Sequence, residues 1–338
     1  MSIFLNNIRR INYLIIFGCV LMVTACSQAP RRPEPDDLVW PLPPETPRIK
    51  YIQSIYSEDD IGRIYSLKEK IFGKDYLDTI VRPYGLYVIR NKIYVTDLFM
   101  KGVFVFDLKE KRLKFMGSER SLQVPSSVAV DAAGSVFVAD SGGEKVVVYD
   151  AKGNLRSTYP LPGVRPVALA VNDALGRLYV VDRTGHRVLV MTLDGKPLFE
   201  FGGPGDDNGR FNLPISITVD SKGMVYVLDG GNFRVQVFDG DGKYVSRFGD
   251  VGDNAGTFAN PKGIAVDSEG HVYVTDAAFS NFQIFDQKGN LLLFVGSMGA
   301  LPGYLHLPAS IAIDENDHIY VADQFNRRIQ EFQYLKTP

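Results

Sequence analysis

Four histidines, two cysteines and a scatter of arginines and lysines are the residues through which this 338-residue chain could act on a ligand. Both thiols, Cys19 and Cys26, lie at the extreme N-terminus, so the rest of the chain has no disulfide and no cysteine nucleophile. The histidines, His186, His271, His306 and His318, are far apart in sequence, and zinc takes three or four convergent ligands. The chain has no Gly-x-Ser-x-Gly elbow, no phosphate-binding P-loop and no His-Glu-x-x-His helix. Asp206-Asp207-Asn208-Gly209 is acidic enough for calcium, but it lacks the spaced ligands and terminal Glu of a calcium loop. No cofactor is expected. Calcium bound in a channel by distant parts of the chain would leave no local motif, and that alternative stays open.

What must position these groups is a repeat. An apolar-aromatic-Val-any-Asp pattern ends at Asp97, Asp140, Asp182, Asp229, Asp276 and Asp323, at intervals of 43, 42, 47, 47 and 47 residues. That period suits a four-stranded propeller blade and is too long for a leucine-rich or ankyrin unit. The expected fold is all-β, a six-bladed β-propeller of four-stranded blades over residues 82–338. Blade four shows the unit: ISITVD, SKG, MVYVLD, GGNFR, VQVFD, GDGK, YVSRFG, alternating strand with turn or loop. DGDGK at Asp239–Lys243 aligns with DAKGN and DQKGN, which makes it a hairpin turn. Blade six ends at Pro338 without a fourth strand. RIKYIQSI, within the segment 48–57, has the pattern of KYVSRFG and is expected to complete that blade, closing the ring and removing an unpaired edge. Residues 58–81 do not fit the repeat. A short helical insertion is expected there, with Ser66 and Glu69 as its capping pair and Leu67, Ile71 and Phe72 as its apolar face before Gly73.

The repeat also divides the faces. First-to-second and third-to-fourth strand turns are short and Asp/Gly-rich and lie on one face. The second-to-third loops and blade-to-blade connections lie on the other, where a site is expected. The fifth loop residue after each Asp is Gly102, Lys145, Arg187, Arg234, Asn281 or Arg328. With Arg82, Arg165 and Lys262 beside the inner-strand prolines, and Tyr84 among them, these form a candidate cationic rim. Its candidate ligand-binding residues are Arg82, Tyr84, Arg165, Arg187, Arg234, Lys262 and Arg328. Such a rim suits carboxylates, phosphates, acidic glycans or an acidic protein surface. The alternative is structural, with the cations paired to the repeat aspartates.

At the N-terminus, Arg9 and Arg10 precede an apolar run, Leu14–Val23, too short to span a bilayer and read as an export signal. Val23-Thr24-Ala25-Cys26 resembles the lipobox of bacterial lipoproteins, which implies a signal over 1–25, acylation of Cys26 and attachment to a membrane. Ser27 in place of Asp implies the outer membrane. Seven prolines between Ser27 and Pro47 make 26–47 the lipidated cysteine and a tether of up to about 65 Å. Trp40 in WPLPP, the only tryptophan, is expected to dock on the propeller. Without Arg9 and Arg10 the chain carries 35 basic and 39 acidic residues, which argues against nucleic acid as a partner.

The Pro261-led strand Lys262–Asp267, the VYVTD strand and Asn232–Asp239 together resemble NHL repeats, in phase over 82–338. The N-terminal WPLPPETPRIKY and RPYGLYV also resemble a group of bacterial six-bladed propeller lipoproteins. The NHL resemblance implies that the loop arginines pair with a neighbouring blade's Asp. Propeller lyases similar to this fold use histidines at the inner-strand starts, whereas here those starts carry Tyr84, Ser126, Val167, Ile215, Lys262 and Ala309. The functional expectation is a monomeric, lipid-anchored, non-catalytic binding or scaffold module for an envelope protein or anionic ligand on the loop-rich face. A channel-centred hydrolase or lyase and a glycan or peptide sensor are the alternatives.

Overall fold

The structure, a computed structural model, describes residues 38–65, 79–117 and 121–336. The export signal, Cys26, the tether up to Asp37 and the helix expected over Ser66–Gly73 lie outside the described residues. Six antiparallel sheets account for the repeats, and five of them contain four strands. The inner strands are Pro83–Ile89, Pro125–Val130, Pro166–Asn172, Ser216–Val219, Pro261–Val266 and Pro308–Ile313. Each is followed outward by the strand ending in the repeat Asp, then a third and a fourth strand.

Burial explains the sequence pattern. Second strands such as Val136–Asp140 and Val225–Asp229 are buried at every position, so they read as continuous apolar runs. Fourth strands such as Tyr244–Phe248 form the outer rim, alternate between exposed and covered residues, and read as alternating polar and apolar. The blades meet through apolar clusters at their interfaces, for example Tyr226, Val235 and Phe248 of blade four with Ile264, Val274 and Phe285 of blade five.

The sixth sheet closes the ring as expected. Ile49–Ile55 pairs antiparallel with the last strand, Arg328–Tyr334, from Ile49 opposite Tyr334 to Ile55 opposite Ile329. A fifth strand, Val39–Trp40, adds outside it, a pairing the repeat did not predict. Trp40 docks edge-on against Phe332 with ring centroids 5.8 Å apart. The described part of the insertion forms turns. Its Ile61 and Ile80 pack on the first blade's core, and buried Glu58 accepts the Leu113 N–H at 3.1 Å.

Inner strands approach each other too closely for a side chain at two points. A Cβ on Gly85 would lie 2.8 Å from the Ser127 Cα, and one on Gly263 would lie 2.8 Å from the Ser310 Cα. Replacing either glycine with Ala should therefore cost about 1–3 kcal/mol by overpacking. Urea titration measures this, and an unchanged midpoint would show that the blades can part.

Candidate functional site

The six repeat aspartates are fully buried and serve as staples. Asp97 accepts the backbone N–H groups of Val81, Arg82, Phe99 and Met100 at 2.7–2.9 Å, tying the entry of the inner strand to the second-to-third loop. Asp276 repeats this with Ala259, Asn260, Ala278 and Phe279. In blades one and five the fifth loop position is Gly102 or Asn281, so backbone donors alone satisfy the carboxylate.

Elsewhere the fifth-position cation completes the staple. Arg234 Nε donates to Asp229 at 2.9 Å, and Arg328 Nε donates to Asp323 at 2.7 Å. Both arginines are almost completely enclosed, at 3% and 1% exposure. Further N–H groups hold carbonyls of the preceding blade-to-blade connection: Asp206, Asp207 and Arg210 for Arg234, and Leu301 and Tyr304 for Arg328. Arg328 also donates to the Tyr56 hydroxyl at 3.2 Å, and both arginines, enclosed by these partners, clamp a loop rather than face a ligand. Arg187 bonds Asp182 at 3.1 Å and Glu200 at 2.9 Å, and Lys145 lies 3.7 Å from Asp140. The pairing is within a blade, not with a neighbouring blade as the NHL resemblance implied, because strand register sets Asp229 opposite Arg234 and Asp323 opposite Arg328.

The arrangement also contains features the sequence reading missed. Gln236, Gln283 and Gln330 each accept from one connection N–H and donate to a connection carbonyl: Gly209 with Arg210, Gly256 with Thr257, and Gly303 with Tyr304. Their signal was the glutamine two residues after the fifth loop position in three successive blades. The fourth loop residue (Lys101, Glu144, His186, Phe233, Ser280 or Arg327) is left-handed in all six blades, with φ between 48° and 56°. The second-to-third loops are therefore one repeated turn, and variation is concentrated in the connections.

The remaining sequence candidates lie at or beside the starts of the inner strands. Arg82 and Arg165 are exposed, Tyr84 packs partly buried against the first blade's core, and Lys262 is half-buried. Burial, and next the charge of Arg183, holds the Lys262 ammonium below the ordinary lysine range. Between the inner strands is a cavity of about 170 Å³ bordered by residues of all six, Ser127, Ser216 and Ser310 among them, while the side chains of Leu86, Val128, Leu169, Ile217, Ile264 and Ile311 belong to the blade cores. The opposite end is acidic. Burial, then Asp173, Asp131 and Glu315, pushes the Tyr87 hydroxyl up to about 12.

The histidines do not converge. His271 and His318 bond Asp267 and Glu331 at 2.8 and 2.7 Å on the tight-turn face, His186 holds the Leu213 N–H, and His306 packs at a tilt against Phe325. Among the described residues no three His, Cys, Asp or Glu side chains group as a metal site. The loop-rich face is instead rich in exposed apolar side chains. Phe99, Val251, Met298 and Phe325 are each more than 60% exposed, joined by Leu301, Tyr304 and Leu307.

Two family descriptions match parts of the chain: an SMP-30/gluconolactonase/LRE-like region over residues 89–184, and NHL repeats over 211–238 and 258–285. Solved structures with a similar fold include a catalytically inactive virginiamycin B lyase from Staphylococcus aureus with quinupristin (14% identity, 85% of this chain and 100% of that one, TM-score 0.57). A gluconolactonase from Xanthomonas campestris is similar at 16% identity, 84% and 98% coverage and TM-score 0.60. An auxiliary nutrient-binding protein from Bacteroides thetaiotaomicron is similar at 13% identity, 76% and 70% coverage and TM-score 0.60. At these identities the likeness is one of fold. Six stapled blades and the matched repeats together identify the chain as a six-bladed β-propeller that carries NHL repeats.

Proposed function

We propose that the protein is an exported propeller, anchored to the outer membrane through Cys26, that works as a non-catalytic binding module for a protein partner in the cell envelope. The observation that supports this reading is the set of exposed aromatic and aliphatic side chains on the loop-rich face. Large apolar patches on soluble folds mark interaction surfaces, and these sit on loops tied by buried Asp staples, to which Arg or Gln clamps are added in blades four to six, a rigid base that limits the entropy lost on binding. The double variant Phe99→Ser/Phe325→Ser should keep its melting point and lose a partner that the unmodified protein captures from envelope extracts. Lys222→Ala on the opposite face should retain that partner. Equal capture by both variants would exclude the loop-rich face.

Anchoring is tested separately. Cys26→Ser should release the protein from membranes or leave an uncleaved precursor, and intact-mass analysis of the native N-terminus should find lipid on Cys26. An unmodified mature N-terminus refutes the anchor.

A second reading, a channel-centred hydrolase or lyase, is favoured by the SMP-30/gluconolactonase-like match over 89–184. Against it, the cavity of about 170 Å³ is smaller than the roughly 300–1,000 Å³ of small-molecule sites. Turnover of a lactone by the purified protein with added divalent metal would favour the enzyme.

A further inference from the structure

The outer strands of the blades are not equally protected. In blades one to five the fourth strand pairs only with the third strand of its own sheet, so its outward N–H and C=O groups form an edge. In the sixth sheet Ile49–Ile55 takes the fourth place and Val39–Trp40 covers it. Proteins blunt such edges with charges or proline, which deter another chain from pairing. Four of the five edges follow this rule, since exposed Arg112, Arg156, Glu200 and Arg247 stand on the fourth strands of blades one, two, three and four. Leu291–Val295 of blade five carries neither charge nor proline, and its outward residues Leu292 and Phe294 are each 51% exposed. Among the described residues, backbone hydrogen bonds to this strand come only from Asn281–Phe285. The register steps from Leu293 opposite Ile284 to Leu291 opposite Phe285, so Leu292 is a bulged residue and Leu293–Val295 is the regular part of the edge. Beside it is a groove of about 720 Å³, bordered by Leu292 and Leu293, by Pro41, Pro44 and Arg48 of the segment that follows Trp40, and by Tyr334.

We propose that the outer edge of blade five is a docking site for an extended segment of another protein, which adds to Leu291–Val295 as a fifth strand and lays alternate apolar side chains over Leu292 and Phe294. This site is on the circumference of the ring and is separate from the loop-rich face. A row of outward N–H and C=O groups is matched by an extended backbone, and not by a helix, whose own groups are paired internally. The sixth sheet already forms in this way, because Ile49–Ile55 and then Val39–Trp40 add to an existing edge. Pro41–Arg48, the segment between those two added strands, borders the groove, so an incoming strand continues an interface that the fold itself makes. Area argues against a second copy of this chain as the occupant. One strand of about 17 Å with two half-exposed side chains offers far less than the roughly 800 Å² per partner of a stable interface. A single extended segment instead meets both the edge and the groove.

Peptide titration of the full chain, followed by amide chemical shifts, tests this. The probe is N-acetyl-Thr-Val-Thr-Val-Thr-Val-Thr-amide, which has one apolar and one polar face when extended. The control peptide has Pro in place of the central Val, which removes an N–H and disfavours a paired strand. Saturable shifts at Leu293, Phe294 and Val295 and slower hydrogen exchange along this edge are expected with the probe, and binding of the control should be at least tenfold weaker. Phe294→Lys should also weaken probe binding at least tenfold while keeping the melting temperature, because the side chain it replaces is half-exposed. Val245→Lys, on the edge of blade four, should bind the probe like the unmodified protein. Shifts absent from Leu291–Val295, equal binding of the proline peptide, or equal binding by Phe294→Lys would each overturn the proposal. So would sedimentation as a dimer that Phe294→Lys converts to a monomer, since the edge would then belong to a second copy. Phe99→Ser/Phe325→Ser should bind the probe unchanged, and loss of binding in that double variant would move the strand to the loop-rich face and refute the edge.

Discussion

Deleting residues 48–55 should unfold the propeller. The strand they form buries Ile49, Tyr51 and Ile55 and lies on the last strand, Arg328–Tyr334, over its full length. Each such side chain contributes about 1.5–3 kcal/mol by burial, so three together approach the roughly 5–15 kcal/mol that separates folded from unfolded protein. The deletion also exposes an edge, since Arg328–Tyr334 would show unpaired N–H and C=O groups to other molecules. Circular dichroism should show loss of the cooperative melt and light scattering should show association. A monomer melting within a few degrees of the full chain would mean that the ring closes without this strand.

Arg328→Gln should be the most damaging single charge removal in the chain, and Arg187→Gln among the mildest. Arg328 is bonded to Asp323 in a site closed to water, and its loss leaves a buried carboxylate together with the Leu301 and Tyr304 carbonyls short of donors. Breaking a buried pair from one side costs about 3–5 kcal/mol. Arg187 makes the same contact to Asp182, but its side chain is 35% exposed and Glu200 is more open still, so water replaces much of what is lost. Such pairs contribute about 0–1 kcal/mol. Denaturant unfolding of the two variants at equal ionic strength measures the difference. Equal midpoints would show that the burial of Arg328 does not strengthen its dependence on the pair.

The same contrast shows why the site was less legible than the fold. A fifth-position arginine in GGNFR and one in RTGHR look alike in sequence, and only the course of the preceding connection decides which is enclosed. The loop Asp206–Arg210 folds over Arg234 and offers three carbonyls, whereas the connection before blade three is short and leaves Arg187 open. Lys262 was legible as a cation beside an inner-strand Pro. Its proximity to Arg183 was not, because the two come from different blades 79 positions apart in the chain.

By itself the sequence determined the number of blades, their strands, the tight turns and the closure by Ile49–Ile55, since these follow from local alternation and a repeated Asp whose role is the same in each copy. Only the tertiary structure decided which cations are free. Whether a charge is paired, buried or open to a ligand depends on groups brought together by ring closure, and sequence spacing holds no record of distances across the ring. The fifth strand at Val39–Trp40 and the apolar loop face were settled in the same way. Each arises where segments from separate blades meet: Trp40 against Phe332, and Phe99 of blade one on the same face as Phe325 of blade six.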